Sequence, residues 1–260
     1  MIRSLWTAST GMSAQQTNMD VIAHNLANAN TTGFKRSRGN FEDLMYQIVT
    51  PPGAETSDDN TIPDGIQIGM GAKTVSVSKI FTQGSFTQTE NAYDMGIEGK
   101  GFFKILRGEE EVYTRAGSFK VDSEGYIVDS GGNRLQPEIS IPDEAVSVDI
   151  DAGGKVTAVD ASGKVLSTQQ INLYNFPNPA GLLSLGHNYF IPTEASGEEE
   201  EAQPGSDGVG TLLQGYLESS NVNVVEEMVN MIVSQRAYEA NSKIIKTTDE
   251  MLQIANNVKA

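Results

Sequence analysis

The sequence predicts an α+β protein: long N- and C-terminal helices paired like a coiled coil, and a central, mainly β, antiparallel domain. Three observations carry this. All 9 Pro and all but one of the 26 Gly lie between Asn30 and Tyr216, and both residue types disfavour helix interiors. The two ends repeat apolar residues at helical spacing. The middle alternates with period two between recurrent turn residues.

The N-terminal helix is read from Ile2, Leu5, Ser9, Met12, Gln16, Met19, Ala23 and Leu26, which alternate steps of three and four. Most are apolar, as an a/d stripe requires. At the other end Val224, Met231, Tyr238, Ile245 and Leu252 fall seven apart, and Ala237, Ile244, Met251 and Val258 form a second column one residue earlier. Together they predict a helix over about 222–258, roughly 50 Å long at 1.5 Å per residue. Such a helix needs a partner for its stripe, and the N-terminal helix is the obvious one. An ordinary two-helix packing inside one domain fits the pattern too. The sustained seven-residue repeat suits an extended coiled coil or helical polymer better.

Next to the first helix, the stretch 46–65 contains Pro51, Pro52, Gly53, Pro63 and Gly65 among polar residues. It is too polar and Pro-rich for a helix or central strand and is predicted to be extended or looped. Val75 to Ile80 alternates as a strand. Segments 119–128, 148–156 and 157–166 read as hairpins with Gly-containing turns. Residues 193–210 look like a loop, with the run Glu198-Glu199-Glu200-Glu201 as a solvated charge cluster. The expected organisation is a terminal helical assembly domain (1–38 with 219–260), a connecting region (39–84 with 208–218) and an outer β domain (85–207).

Composition excludes several functions. The 260 residues carry 18 Lys+Arg against 34 Asp+Glu, a net charge of −16, and nucleic-acid binding needs a basic face. With no Cys, disulfides, thiolate metal sites and a Cys nucleophile are excluded. No apolar run reaches 18 residues, so no membrane insertion is expected. The start, Met1-Ile2-Arg3-Ser4-Leu5-Trp6, lacks the apolar core of a cleavable signal peptide.

Catalytic candidates are few. His24 and His187 stand far apart, and no nucleophile elbow or His-Glu-x-x-His pattern occurs. Gly69/Gly71 and Gly99/Gly101 lack the third glycine of a dinucleotide fingerprint, with Thr74 and Lys104 there. Asp149, Asp151, Gly154 and Asp160 match part of a calcium-loop template, but Gly153 replaces a ligand and Asp160 is short for the bidentate position. Their flanks read as strands, so a turn is expected. Carboxylates abound, but no spacing singles out a glycosidase pair. No catalytic, cofactor-binding or metal site is expected. Apolar stripes larger than one partner helix can cover predict packing between molecules.

Several strings then resemble one family. Asn25-Leu26-Ala27-Asn28-Ala29-Asn30-Thr31-Thr32-Gly33-Phe34-Lys35 is similar to the N-terminal signature of bacterial flagellar rod and hook proteins. Gly99-Lys100-Gly101-Phe102-Phe103 and Tyr113-Thr114-Arg115-Ala116-Gly117-Ser118-Phe119 resemble their central motifs. Ser219-Ser220-Asn221-Val222-Asn223-Val224 and Gln235-Arg236-Ala237-Tyr238-Glu239-Ala240-Asn241 resemble the C-terminal signature. The matches run in family order along nearly the whole chain. The length and the stretch 46–65 are most like the distal-rod members; proximal rod and hook-type proteins are the alternative. His24 departs from the pattern, where Asn is more usual, and the Glu198–Glu201 run is outside it.

Residue chemistry leaves some roles open. Asn25 and Asn28 share one side of a helix and could bridge neighbouring helices, or Asn28 and Asn30 could end the helix before Gly33. Gly99 and Gly101 suit close strand approach, and Phe102 and Phe103 point to opposite faces of a strand. Arg115 suits either a turn or an interface ion pair.

The resemblance implies a subunit of a hollow helical rod, a drive shaft that transmits torque and forms part of an export channel. It implies self-association through Leu5, Met12, Met19, Asn25, Leu26 and Asn28 with Val224, Met231, Tyr238, Ile245 and Leu252. A bridging stretch with Pro52, Gly53, Pro63 and Gly65 would touch neighbouring subunits. The implied partners are other rod proteins, the hook protein, surrounding basal-body rings and the flagellar type III export apparatus; no cofactor is implied. The implied location is the cell-envelope-spanning basal body, reached without a cleaved signal peptide. Acidity concentrates in residues 66–217, with 10 Lys+Arg against 21 Asp+Glu, and on this reading it faces outward from the shaft.

Overall fold

The computed structural model describes residues 2–53, 55–56, 60–61, 63–206 and 208–258. Within the stretch 46–65, residues 54, 57–59 and 62 lie outside the described residues, as do the side chains of Ile2 and Val258 from the predicted stripes. The chain divides into two units. One comprises Met1–Ala27, Ser37–Ser78 and Asn223–Ala260; the other comprises Asn28–Arg36 and Lys79–Val222.

The first unit holds both long helices, α1 (Ile2–Ala27) and α2 (Val224–Val258). The α2 start is set by Asn223, whose Oδ1 accepts the Val225 and Glu226 N–H groups at 3.1 and 3.3 Å. Such a cap stabilises a helix by about 1 kcal/mol, and Glu226 and Glu227 in the first turn complement the helix dipole. The α1 end is a turn in which Thr31 N–H donates to Asn28 O, followed by Gly33 at φ +69°. Strand Ser37–Asp43 pairs with Ala72–Lys79. Tyr46–Thr50 pairs antiparallel with Ile66–Gly69, and Glu55–Thr56 pairs with Asn60–Thr61. The described residues of the stretch 46–65 thus include one limb of a two-stranded arm and a further short strand pair.

The second unit is built on a seven-stranded sheet. Its order is Lys120–Val121, Ile127–Val128, Arg134–Gln136, Phe103–Arg107, Glu110–Thr114, Tyr189–Ile191 and Leu183–Gly186. A second sheet runs Ser147–Ile150, Lys155–Val159 and Val165–Gln170. All three expected hairpins are present in these sheets, with antiparallel pairing. Phe103, Ile105, Val112 and Leu135 are fully buried in the main core, each removing apolar surface worth about 1.5–3 kcal/mol. Phe103 meets Phe119 edge-on at 5.1 Å. Phe102 faces the other way, into a separate aromatic cluster with Tyr113, Phe176 and Phe190. Consecutive strand residues thus serve two cores, as the alternation of a strand demands.

Two expectations need correction. The Glu198–Glu201 run is not simply a solvated loop. Glu200–Ala202 is a strand paired with Leu173–Asn175, and Glu199 pairs with Lys104 at 3.0 Å. Burial lowers the Lys104 pKa, but the hydrogen bonds and charges of Glu111 and Glu199 outweigh it and hold Lys104 above its ordinary value. The predicted α1 stripe is also displaced. Ser9, Gln16 and Ala23 are exposed, whereas Ala8, Ala14, Ile22 and Asn25 are buried. Gly11 against Asn241 shows how a small residue lets the two helix backbones approach.

Candidate assembly interface

The two helices meet through a seam of small and polar side chains. Asn18 Nδ2 donates to Ser234 Oγ at 2.8 Å. Gly11 lies against Asn241, and a Cβ on Gly11 would sit 2.9 Å from the Asn241 amide nitrogen. Gly11 to Asn18 runs seven residues forward while Asn241 to Ser234 runs seven back, so the helices pack antiparallel in heptad register. Buried Glu227, Ser234 and Thr248, with half-buried Asn241, form a polar column along α2 at the same spacing.

The predicted apolar residues flank that seam. Leu5, Met12, Met19 and Leu26 on α1, and Met231, Ile245 and Leu252 on α2, are half-buried. Tyr238 and Val224 are exposed at 37% and 42%. Beyond them α2 presents an open apolar face. Val225, Met228, Val229, Ile232 and Val233 are all more than half exposed, and Ile254 continues the face near the C-terminus. An apolar face of this extent on a helix marks an interaction surface.

The two-stranded arm repeats the theme. Met45, Tyr46, Ile48, Val49, Ile66 and Ile68 are exposed, Met45 at 86%. Pro52, Gly53 and Pro63 are exposed and Gly65 is half-buried. Gly53 has φ +82° with open space around it. A Cβ on Gly65 would lie 2.6 Å from Pro52 N. The steric demand at Gly65 thus comes from its own chain.

The asparagines act inside the chain. Asn25 is 1% exposed; its Nδ2 donates to Ser37 O and its Oδ1 accepts Ser37 N–H, both at 2.8 Å. That clamps strand Ser37–Asp43 to α1. Asn28 Oδ1 accepts the Thr31 hydroxyl at 3.1 Å, which closes the turn ending the helix. Arg115 is buried and bonds Glu218 at 2.7 Å within the second unit. Asp149 lies in a strand, and Asp151 and Asp160 shape turns, their Oδ1 atoms accepting the next N–H. Among the described residues no group of three His, Cys, Asp or Glu is placed to hold a metal ion. None of the described helices is long and apolar enough to cross a membrane.

Comparisons with known proteins cover the same segments. The family described as "Flagella basal body rod protein" matches residues 5–35. "Flagellar hook protein FlgE/F/G D1 domain" matches 96–158, and "Flagellar basal body rod FlgEFG protein C-terminal" matches 213–258. The chain is 48% identical to the flagellar basal-body rod protein FlgG of Buchnera aphidicola subsp. Schizaphis graminum, over 97% of this chain and 98% of that one. It is 48% identical to the FlgG of Borreliella burgdorferi, over 100% of this chain and 99% of that one. The chain belongs to the FlgG family of flagellar basal-body rod proteins. The FlgG of Bacillus subtilis is 40% identical over the full length of both chains.

FlgG-family membership makes this a structural subunit of the basal-body rod, not an enzyme. The matched segment 5–35 spans most of α1 and the turn after it, and 213–258 spans α2. In this FlgG-family chain the apolar columns stand out in the sequence and the polar one does not. Glu227, Ser234, Asn241 and Thr248 also fall seven apart, so the signal was present, but polar residues at helical spacing ordinarily mark a solvated face.

Proposed function

We propose that the chain is a subunit of the distal rod, a hollow helical shaft that carries torque from motor to hook and forms part of the export channel. The observation that carries this reading is the open apolar face of α2, from Val225 to Val233. One chain leaves it in water, and α1 and α2 from further copies would cover it. In this reading the terminal helices (1–38 with 219–260) form the assembly domain. The region 39–84 with 208–218 connects it to an outer β domain at 85–207. The exposed arm around 46–65 reaches neighbouring copies. Other rod proteins, the hook protein, the surrounding rings and the flagellar type III export apparatus are the remaining partners.

The test is Ile232→Asp, with Val229→Asp beside it. Both positions are more than half exposed, so a charge there leaves the monomer folded but is expensive to bury in a polymer. Loss of rods by electron microscopy, with an unchanged circular dichroism melt of the purified subunit, is the expected result. Normal rods in both variants would overturn the helix-face reading.

A further inference from the structure

The chain passes between its two units four times, after Ala27, Arg36, Ser78 and Val222. In the second unit these crossings belong to three segments: 28–36, the stretch that begins at Lys79, and the stretch that ends at Val222. One buried carboxylate gathers all three. Glu218 Oε1 accepts Lys35 Nζ at 2.7 Å and the Gly84 N–H at 2.9 Å. Its Oε2 accepts Arg115 Nε at 2.7 Å. The side chains of Glu218 and Lys35 are each 1% exposed and that of Arg115 is 5% exposed.

Two cations on one carboxylate leave a positive charge to be solvated, and carbonyls do it. Lys35 Nζ donates to Thr82 O at 2.8 Å. Arg115 donates to Gly101 O at 2.6 Å, to Ile97 O at 3.1 Å and to Gly99 O. Gly99 and Gly101 have φ of +117° and +132°, a backbone that side-chain-bearing residues rarely adopt. The Gly-x-Gly motif thus turns its carbonyls onto the arginine. Gly33 fits against the same arginine's backbone, since a Cβ there would lie 2.8 Å from Arg115 C.

A second tie joins the same three segments without charge. Asn221 Oδ1 accepts the Arg36 N–H at 2.7 Å, and its Nδ2 donates to Ile80 O at 2.8 Å and Thr82 O at 3.1 Å. Backbone bonds complete the set: Gly33 N–H to Glu218 O at 2.8 Å and Ile80 N–H to Arg36 O at 2.9 Å. The Lys79 ammonium sits 5.2 Å over the Phe34 ring. Each segment is therefore bound to both others by groups that are satisfied only when all three are in place.

We propose that Glu218 and Asn221 make the three crossing segments one cooperative collar, so that force entering on any crossing is shared by all four. Four family-like motifs, carrying Lys35, Gly99/Gly101, Arg115 and Asn221, then share one task with Glu218. The direction of that force rests on the rod reading, but the collar itself is tested on the unassembled chain and stands or falls separately.

The experiment is native-state hydrogen exchange on the full-length chain. The amides of Gly33, Ile80, Gly84 and Ser219, the last donating to Ser85 O at 2.8 Å, should open together, with one common protection factor. Glu218→Gln and, separately, Asn221→Ala should speed exchange at all four by about 10-fold or more. Amides in the paired strands Phe103–Arg107 and Glu110–Thr114 should change by less than about 2-fold. Separate opening rates for the three segments in the unmutated chain would overturn the collar. So would an effect of Glu218→Gln confined to Gly84, or equal acceleration in the core strands. Should Glu218→Gln not fold, Asn221→Ala, which strands no charge, decides alone.

Discussion

The helix seam and the β core obey different rules. The β core buries large side chains completely: Tyr113, Phe103, Phe119 and Met95 are at most 1% exposed. The seam instead buries Ala8, Ala14, Ser234 and Thr248, and leaves Val229, Ile232 and Val233 outside. A unit that completes its own core holds its shape as a monomer. A helix pair that fills its inside with small and polar groups gains close approach and register, and leaves its apolar area on the outside. The difference separates the part that completes its own core from the part that leaves apolar area open.

The comparison breaks most visibly in the β core. Phe103→Ala should cost about 3–5 kcal/mol, read as a lower urea midpoint for the second unit. A loss under about 1 kcal/mol would mean that this core is not what holds the unit together.

Acid tests the same unit through its buried ion cluster. Burial pushes the Glu218 carboxyl up, but the Arg115 and Lys35 charges and hydrogen bonds outweigh burial and hold it below its ordinary 4.5. The folded state therefore binds this proton less tightly than the unfolded chain. The stabilisation is complete above the unfolded value and is lost as pH falls through the lower, folded value. Urea titrations at a series of pH values below about 5 should show this loss, and Glu218→Gln should remove that part of the slope. An unchanged acid limb in the variant would place the loss elsewhere.

In the seam the effects are smaller. The Asn18–Ser234 hydrogen bond should show a coupling of about 0.5–1.5 kcal/mol in a double-mutant cycle. Additive single variants would show that the polar column does not set register. Smallest of all, Val229→Asp should shift monomer stability by no more than about 0.5 kcal/mol, measured by thermal melting. A large shift would mean the face is covered within one chain, which would erase the contrast between seam and core.

Much of this was legible in the sequence, for definite reasons. Both helical ends are legible because Gly and Pro are almost confined to the middle of the chain. Phe102 and Phe103 were assigned to opposite faces because strand geometry leaves no choice. The three hairpins followed from Gly-containing turns between alternating segments. The polar column was not read because Ser234 and Thr248 look solvated until a partner helix covers them. The Arg115 partner was not read because Glu218 lies 103 residues away, and sequence spacing carries no information on such a contact. The crowding of Gly65 against Pro52 of the same chain depends on the pairing of two strands and is likewise not visible in the sequence.

By itself, then, the sequence determined the local periods: two long amphipathic ends, a β middle, an acidic balance, and motifs in the order of a flagellar rod protein. Periodicity does this because it depends only on the geometry of a single element. Tertiary structure decided which side of α1 faces α2, which polar groups are buried, and that one carboxylate gathers the segments where the chain passes between units. Those outcomes depend on which distant residues exclude water from one another, and that is fixed only when the elements pack.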